Sequence, residues 1–197
     1  MFSAELRERL KLLDEHLVYC NDHQFVLKEK KAEGEAELTL ELHNPGILFN
    51  RLENKKLRYF KNQKCADYLL YNYRENNWEM HIFELKRSIG LSQWEQIKEQ
   101  AKGAIQNGMA IAGFLGIEIS LDRVYLYSAY RNDKINDFAN PGKQRYQMYK
   151  KASPEYKEKE CDWNKQLIEL DFLGKREFQH CKIPLNPENG RGSYAIA

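Results

Sequence analysis

No run of this chain is apolar for long enough to cross a bilayer. The opening segment MFSAELRERLKLLDEHL is amphipathic, unlike the apolar core of a signal peptide. A cytoplasmic protein without membrane attachment is therefore expected. The four cysteines, Cys20, Cys65, Cys161 and Cys181, never approach a Cys-x-x-Cys spacing. That excludes a zinc ribbon and points to packing residues kept as reduced thiols. There is no internal repeat, no low-complexity linker, no glycine loop that would cradle a phosphate, and no serine or cysteine set out as a nucleophile. Neither sign of charge dominates: 31 basic residues against 29 acidic ones leave +2. Bulk charge thus names no partner, and any electrostatic signal has to come from local clustering.

What is present suits one soluble domain, or a domain with an appendage. The 197 residues are 42% hydrophobic and 30% charged, enough to bury a core. Leu6, Leu10, Leu13 and Leu17 are spaced by four, three and four, which predicts a helix over 4–19. KEKKAEGEAE reads as a polar loop, and ELTLEL at 37–42 as a strand ended by His43-Asn44-Pro45-Gly46. The stretch 47–64 is ambiguous. CADYLLYNY at 65–73 and WEMHIFELK at 78–86 read as strands joined by the turn RENN, hence an antiparallel hairpin. The second strand is apolar on both faces, as a central strand covered on both sides should be. Ser92 and Glu95 fit a capping box that opens a helix through Trp94, Ile97, Ala101, Ala104 and Ile105. Asn107-Gly108 is a plausible stop, although AIAGFLG can continue it. RVYLYSAY at 123–130 is a further strand, able to return parallel to 78–86 through the helix. Residues 142–151 suggest a helix and 167–173 a strand or short helix. The tail from Pro184 carries enough glycine and proline to suggest partial flexibility. The fold expected is α/β, a mixed central sheet flanked by helices. Residues 1–135 form its core, and 136–197 an extension packed on the same domain.

The chemistry concentrates on the hairpin. Glu84 and Lys86 stand two apart on a strand and so point to one face, their roots about 7 Å apart. Asp67 begins the antiparallel partner and can face Glu84 across the sheet. Two carboxylates are what Mg²⁺ takes from a protein, with water and phosphate completing its octahedron. A metal so held polarises a phosphate and acidifies bound water. Lys86 then suits orienting or deprotonating that water, or offsetting charge on the phosphorane. Glu-x-Lys on a strand is common on solvated faces, where an ion pair contributes little. Here the apolar strand, the Asp on its partner and the capped helix that follows favour a site.

The stretch KCADYLLYNY, a short turn, HIFELKRS and a helix containing EQIKEQ resembles the core of the PD-(D/E)XK, or restriction-endonuclease-like, superfamily. The likeness covers roughly residues 37–130 and departs at Ala66, where the pattern has proline. It implies an αβββαβ core in which Asp67 and Glu84 bind Mg²⁺ or Mn²⁺ and Lys86 assists the attacking water. It further implies a supporting glutamine from the next helix, Gln96 ranking before Gln100, and an acid on the first helix, Glu8 or Glu15. The activity implied is hydrolysis of phosphodiester bonds, expected in DNA, by an endonuclease rather than an exonuclease. A homodimer is left open, since two sites can cut two strands. The alternative is a non-catalytic nucleic-acid-binding or regulatory member of the same fold, or a domain in which the triad is a structural ion-pair cluster.

The segment 54–64 adds an electrostatic reason. Lys55, Lys56, Arg58, Lys61 and Lys64 surround Tyr59 and Phe60 with no acid among them, and lead directly into Asp67. Phosphate contacts supply most of the affinity for nucleic acid, so this run is the candidate binding segment. KQRYQMYKK at 143–151 repeats the theme with Tyr146 and Tyr149. His43-Asn44 alone does not make an HNH-type nuclease, because the other histidines have the wrong context; His43 and His81 are read as structural.

Overall fold

The computed structural model describes residues 2–15, 18–21, 23–31, 34–50, 52, 60–136, 154 and 162–196. A seven-stranded mixed sheet forms its centre. The strands are β1 (Val18–Asn21), β4 (Gly46–Asn50), β5 (Tyr68–Arg74), β6 (Asn77–Ile89), β7 (Val124–Asp133), β8 (Leu167–Asp171) and β9 (Lys175–Pro184). Their order across the sheet is β1-β4-β5-β6-β7-β9-β8. A second sheet has three strands, β2 (Gln24–Lys31), β3 (Gly34–Leu42) and β10 (Arg191–Ile196), in the order β10-β3-β2. The fold is mixed α/β, as expected, with fewer helices than strands.

The β5–β6 hairpin forms where the sequence placed it. Glu75 and Asn76 occupy the two-residue turn with φ of 50° and 64°, the left-handed pair that matches the twist of hairpin strands. β6 is buried on both faces because a helix covers one and the small sheet covers the other. Met80 and Ile82 pack with Trp94, Ile97, Ala101 and Ile105, while Phe83 and Leu85 pack with Leu38, Leu40 and Leu42. That helix, α2 (Leu91–Leu115), joins β6 to β7, and the two strands pair in parallel.

Several expectations need correction. The first helix, α1, spans Ala4–Leu10, capped by Ser3 Oγ accepting the Leu6 N–H at 3.1 Å. It ends well short of residue 19, because Val18–Asn21 is drawn into pairing with β4 as an outer strand; Leu17 lies outside the described residues. KEKKAEGEAE is not all loop: residues 28–31 belong to β2 and 34–37 to β3, while 32 and 33 lie outside the described residues. Lys28 and Glu37 stand directly opposite and pair at 2.7 Å on one face, while Leu27, Ala36 and Leu38 are buried on the other, which Glu29 shares. The helix α2 opens at Gly90, not Ser92: the Gln93 side chain accepts the Gly90 N–H at 3.2 Å, and Glu95 takes no part in the cap. α2 also runs straight through Asn107-Gly108. A side chain on Gly108 would put its Cβ 2.5 Å from Leu69 Cδ1, so glycine there lets the helix lie close to the sheet, and its carbonyl accepts the Tyr71 hydroxyl. The tail is not loose over its last turns of chain. Residues 191–196 form β10, parallel to β3, with Ile196 buried. The extension therefore contributes to both sheets. The helix expected at 142–151 lies outside the described residues. Among the described residues no helix is long and apolar enough to cross a membrane.

Candidate functional site

The register Tyr68↔Phe83 carries on to bring Asp67 opposite Glu84. The two acids clasp each other's backbone. The Asp67 N–H donates to Glu84 Oε2 at 3.2 Å, and the Leu85 N–H donates to Asp67 Oδ2 at 2.9 Å. Lys86 Nζ closes the set by donating to Glu84 Oε1. All three sequence-predicted core residues therefore meet at one place, at the start of β5 and beside the middle of β6.

Burial dominates the electrostatics. Glu84 is 2% exposed and borders a small, largely apolar void with Ala66, Ile82, Ile97 and Ala101. Loss of solvent and then the Asp67 carboxylate push the Glu84 carboxyl well above the usual carboxylate range; Lys86 and the Asp67 N–H only partly offset this. Burial alone would lower the Lys86 ammonium, but Glu84, Asp67 and Glu29 outweigh it and hold the lysine charged above its ordinary value. The site thus holds the Glu84 proton more firmly than an exposed carboxyl would, and a bound cation would have to displace it.

Asp67 owes its position to the loop before β5, and α2 holds that loop. Asn62 Nδ2 donates to the Glu99 carbonyl at 3.0 Å, and Asn62 Oδ1 accepts the Lys64 N–H at 3.0 Å. Gln100 Nε2 donates to the Cys65 carbonyl at 3.3 Å, two residues before Asp67. Gly103 lets the contact close: an added Cβ would sit 1.6 Å from the Lys64 carbonyl oxygen. Gln100 is thus a positioning residue, acting through the loop backbone. Gln96, the glutamine ranked first, is exposed one turn earlier, and no hydrogen bond ties it to Asp67, Glu84 or Lys86 among the described residues.

The first helix supplies no acid. Glu8 pairs with Lys11 at 2.6 Å in solvent, and Glu15 is exposed beyond the helix end. Phe2 stacks on Trp78 at 5.9 Å, so α1 sits at the turn end of the hairpin. Trp78 and Lys86 are eight residues apart on one strand, about 26 Å. The acid that does face the site is Glu29 on β2, brought there by the small sheet. Tyr68 fixes that approach, its hydroxyl accepting the Lys28 N–H at 2.9 Å and donating to the Lys28 carbonyl at 2.8 Å. Sequence reasoning missed Glu29 because it lay in a charged stretch read as loop. Its only local signal was the alternation Phe25, Leu27 that marks β2 as a strand.

Of the basic run, Lys61 and Lys64 are exposed on the loop leading to Asp67. Lys55, Lys56 and Arg58 lie outside the described residues, as do Tyr146 and Tyr149. His43 is exposed and His81 is buried, 2% exposed, with Nδ1 3.0 Å from the Tyr127 hydroxyl. Neither approaches the acids as a nuclease histidine would.

Among the described residues, no group of three or more His, Cys, Asp or Glu is set to hold a metal ion by itself. Asp67 and Glu84 offer hard oxygen donors, so the donor set fits Mg²⁺ or Mn²⁺ completed by water and phosphate. Comparison of the chain with protein families, curated proteins and solved structures gives no match.

Proposed function

We propose that the chain is a divalent-metal-dependent nuclease hydrolysing phosphodiester bonds in DNA, built on a restriction-endonuclease-like core. The observation that carries this reading is the mutual clasp of Asp67 and buried Glu84, with Lys86 on the same carboxylate. Burying two like charges side by side is costly, and a purely structural cluster gains little from it. A site that binds a cation during turnover recovers that cost. The order of elements supports the reading too: α1, then β4, β5, β6, α2 and β7 make an αβββαβ series, with β1–β3 inserted after the first helix.

In this proposal Asp67 and Glu84 hold Mg²⁺ or Mn²⁺, which when bound supplies phosphate polarisation and an acidified water. Glu84 has to give up its proton to take part, so cation binding and proton release are linked. Lys86, held as an ammonium by its neighbours, donates hydrogen bonds toward the scissile phosphate and offsets charge developing there. Gln100 and Asn62 keep Asp67 in register. Lys61 and Lys64 sit on the approach and attract the phosphate backbone.

The test is cleavage of plasmid and linear DNA, and of RNA, by the purified chain with Mg²⁺, Mn²⁺ or EDTA. Metal-dependent cleavage of DNA that Lys86→Ala abolishes, with melting unchanged, is the expected result. Equal cleavage by Lys86→Ala would remove the assignment. DNA binding without cleavage under any metal would place the chain instead among non-catalytic members of the fold.

A further inference from the structure

On the far side of β7 from β6, the three-stranded sheet runs out before the seven-stranded one does. The uncovered part of β7 and β9 forms a groove of 670 Å³, within the range of a small-molecule site. Tyr125 and Tyr127 on β7 and Tyr194 on β10 line it. These rings are held in place. Tyr125 stacks on His81 at 5.1 Å and 17°, and His81 is fixed in turn by the Tyr127 hydroxyl. Tyr194 meets Tyr127 edge-on at 5.5 Å, and its hydroxyl accepts from Cys181 Sγ at 3.5 Å. Tyr125 and Tyr194 remain partly exposed, so each presents ring surface to the groove.

The rest of the lining mixes Leu126 and Leu167 with polar groups and carries no acid among the described residues. Lys165 brings positive charge, and Gln166 and Gln179 bring amides that both donate and accept. Lys182 only borders the groove: its side chain takes the other face of β9, 3.1 Å from Asn164 Oδ1 and 5.0 Å over the Trp163 ring. In register, Glu84 pairs with Ser128 and Ser128 with Lys182, so the groove is two strands from the acidic pair, about 10 Å across the sheet, with its tyrosines on the face opposite Glu84.

Fixed aromatic faces, amides and a lysine without a competing carboxylate match one chemistry: a base to stack, base edges to hydrogen-bond, and phosphates to neutralise. From this juxtaposition we infer that the groove is an anchoring site for an unpaired nucleotide of the substrate strand, separate from the acidic pair that would cut. The inference rests on the nuclease reading for its substrate class. It adds that single-stranded or locally opened nucleic acid is preferred over intact duplex.

The test uses the full chain in EDTA at low ionic strength and two fluorescein-labelled 12-mers, oligothymidylate and a strand of the same length made of abasic residues. Both carry the same phosphates, so only the bases differ. The groove predicts about tenfold tighter binding of oligothymidylate, on the scale of one stacked base. Tyr125→Leu and Tyr194→Leu, each checked for unchanged melting, should shrink that preference to under about threefold while leaving the abasic strand's affinity alone. Lys165→Gln should weaken both strands alike. Equal binding of the two strands by the wild-type chain would overturn the groove, as would a preference that survives both tyrosine replacements. Cleavage of DNA in Mg²⁺ alongside either result would leave the nuclease reading standing; neither binding nor cleavage would remove both.

Discussion

Replacing Gly103 by alanine tests how α2 sets the position of Asp67. The new Cβ would lie 1.6 Å from the Lys64 carbonyl oxygen and 2.8 Å from its carbon. Ordinary van der Waals contact requires the loop or the helix to retreat by about 2 Å. The Gln100 bond to the Cys65 carbonyl, already 3.3 Å, does not survive such a retreat, and the Asn62 bond to the Glu99 carbonyl is strained with it. Overpacking costs about 1–3 kcal/mol and each lost hydrogen bond about 1 kcal/mol. Better helix propensity returns roughly 1 kcal/mol. A net loss of about 2–3 kcal/mol follows, or roughly 5–10 °C in Tm for a chain of this size. The functional effect is larger in proportion, since misplacing a reacting group by about 1 Å costs on the order of 100-fold in rate. Gly113 provides the control, because nothing lies within 4 Å of its added Cβ on the same helix. Gly113→Ala should raise Tm slightly and leave cleavage alone. Thermal melting and plasmid nicking of the two variants decide the matter. A Gly103→Ala protein that melts and cuts like Gly113→Ala would refute the proposed close packing of helix and loop.

Saturating Mg²⁺, about 100-fold above its Kd, should stabilise the chain by about 2.7 kcal/mol, some 5–10 °C in Tm. Asp67→Asn should lose this shift without melting lower in EDTA, because it removes a like charge from beside Glu84; an unchanged shift would take Asp67 out of the cation site. Gln100→Ala should lower both Tm and cleavage through the loop, whereas Gln96→Ala should leave Tm unchanged. A larger cleavage defect in the Gln96 variant would restore it to the site and demote the loop contact. The contribution of His180 to stability should fall in acid. Burial, and then Lys182, push the His180 imidazole down to about 4, so between about pH 6.5 and pH 4 the unfolded chain binds the proton and the folded one does not. The loss reaches up to about 3 kcal/mol by pH 4. Urea titrations at pH 7 and pH 4.5 should show His180→Phe losing less than the wild type; a parallel loss would remove His180 as the cause.

The part of the fold legible in the sequence was the part governed by local pattern. The turn at Glu75-Asn76, the doubly apolar β6 and the buried face of α2 each announce themselves within about a dozen residues, and the adjacency of Asp67, Glu84 and Lys86 follows from hairpin geometry. What escaped depends on partners distant in the chain. The charged ends of β2 and β3, 28–31 and 34–37, do not look like strands until Leu27 and Leu38 beside them meet Phe83 and Leu85. Val18–Asn21 becomes a strand only because β4 is there to pair with. Gly90 caps α2 without a side chain of its own, using Gln93, so the nearby Ser92–Glu95 spacing was a decoy. The division of labour between Gln96 and Gln100 turns on which of them meets the Cys65 carbonyl, and a spacing of four on a helix cannot say that.

The parallel pairing of β10 with β3 sets a schedule for folding. Glu37 has to wait for Arg191, so the small sheet is closed by residues made about 150 positions later. The seven-stranded sheet in turn lacks β9 and β8 until the last fifth of the chain is available. Until then β3 lacks its β10 neighbour and β7 its β9 neighbour, so both strands keep an open edge. A growing chain therefore carries Asp67, Glu84 and Lys86 on their hairpin before the sheets around them close, which makes late truncations prone to aggregation.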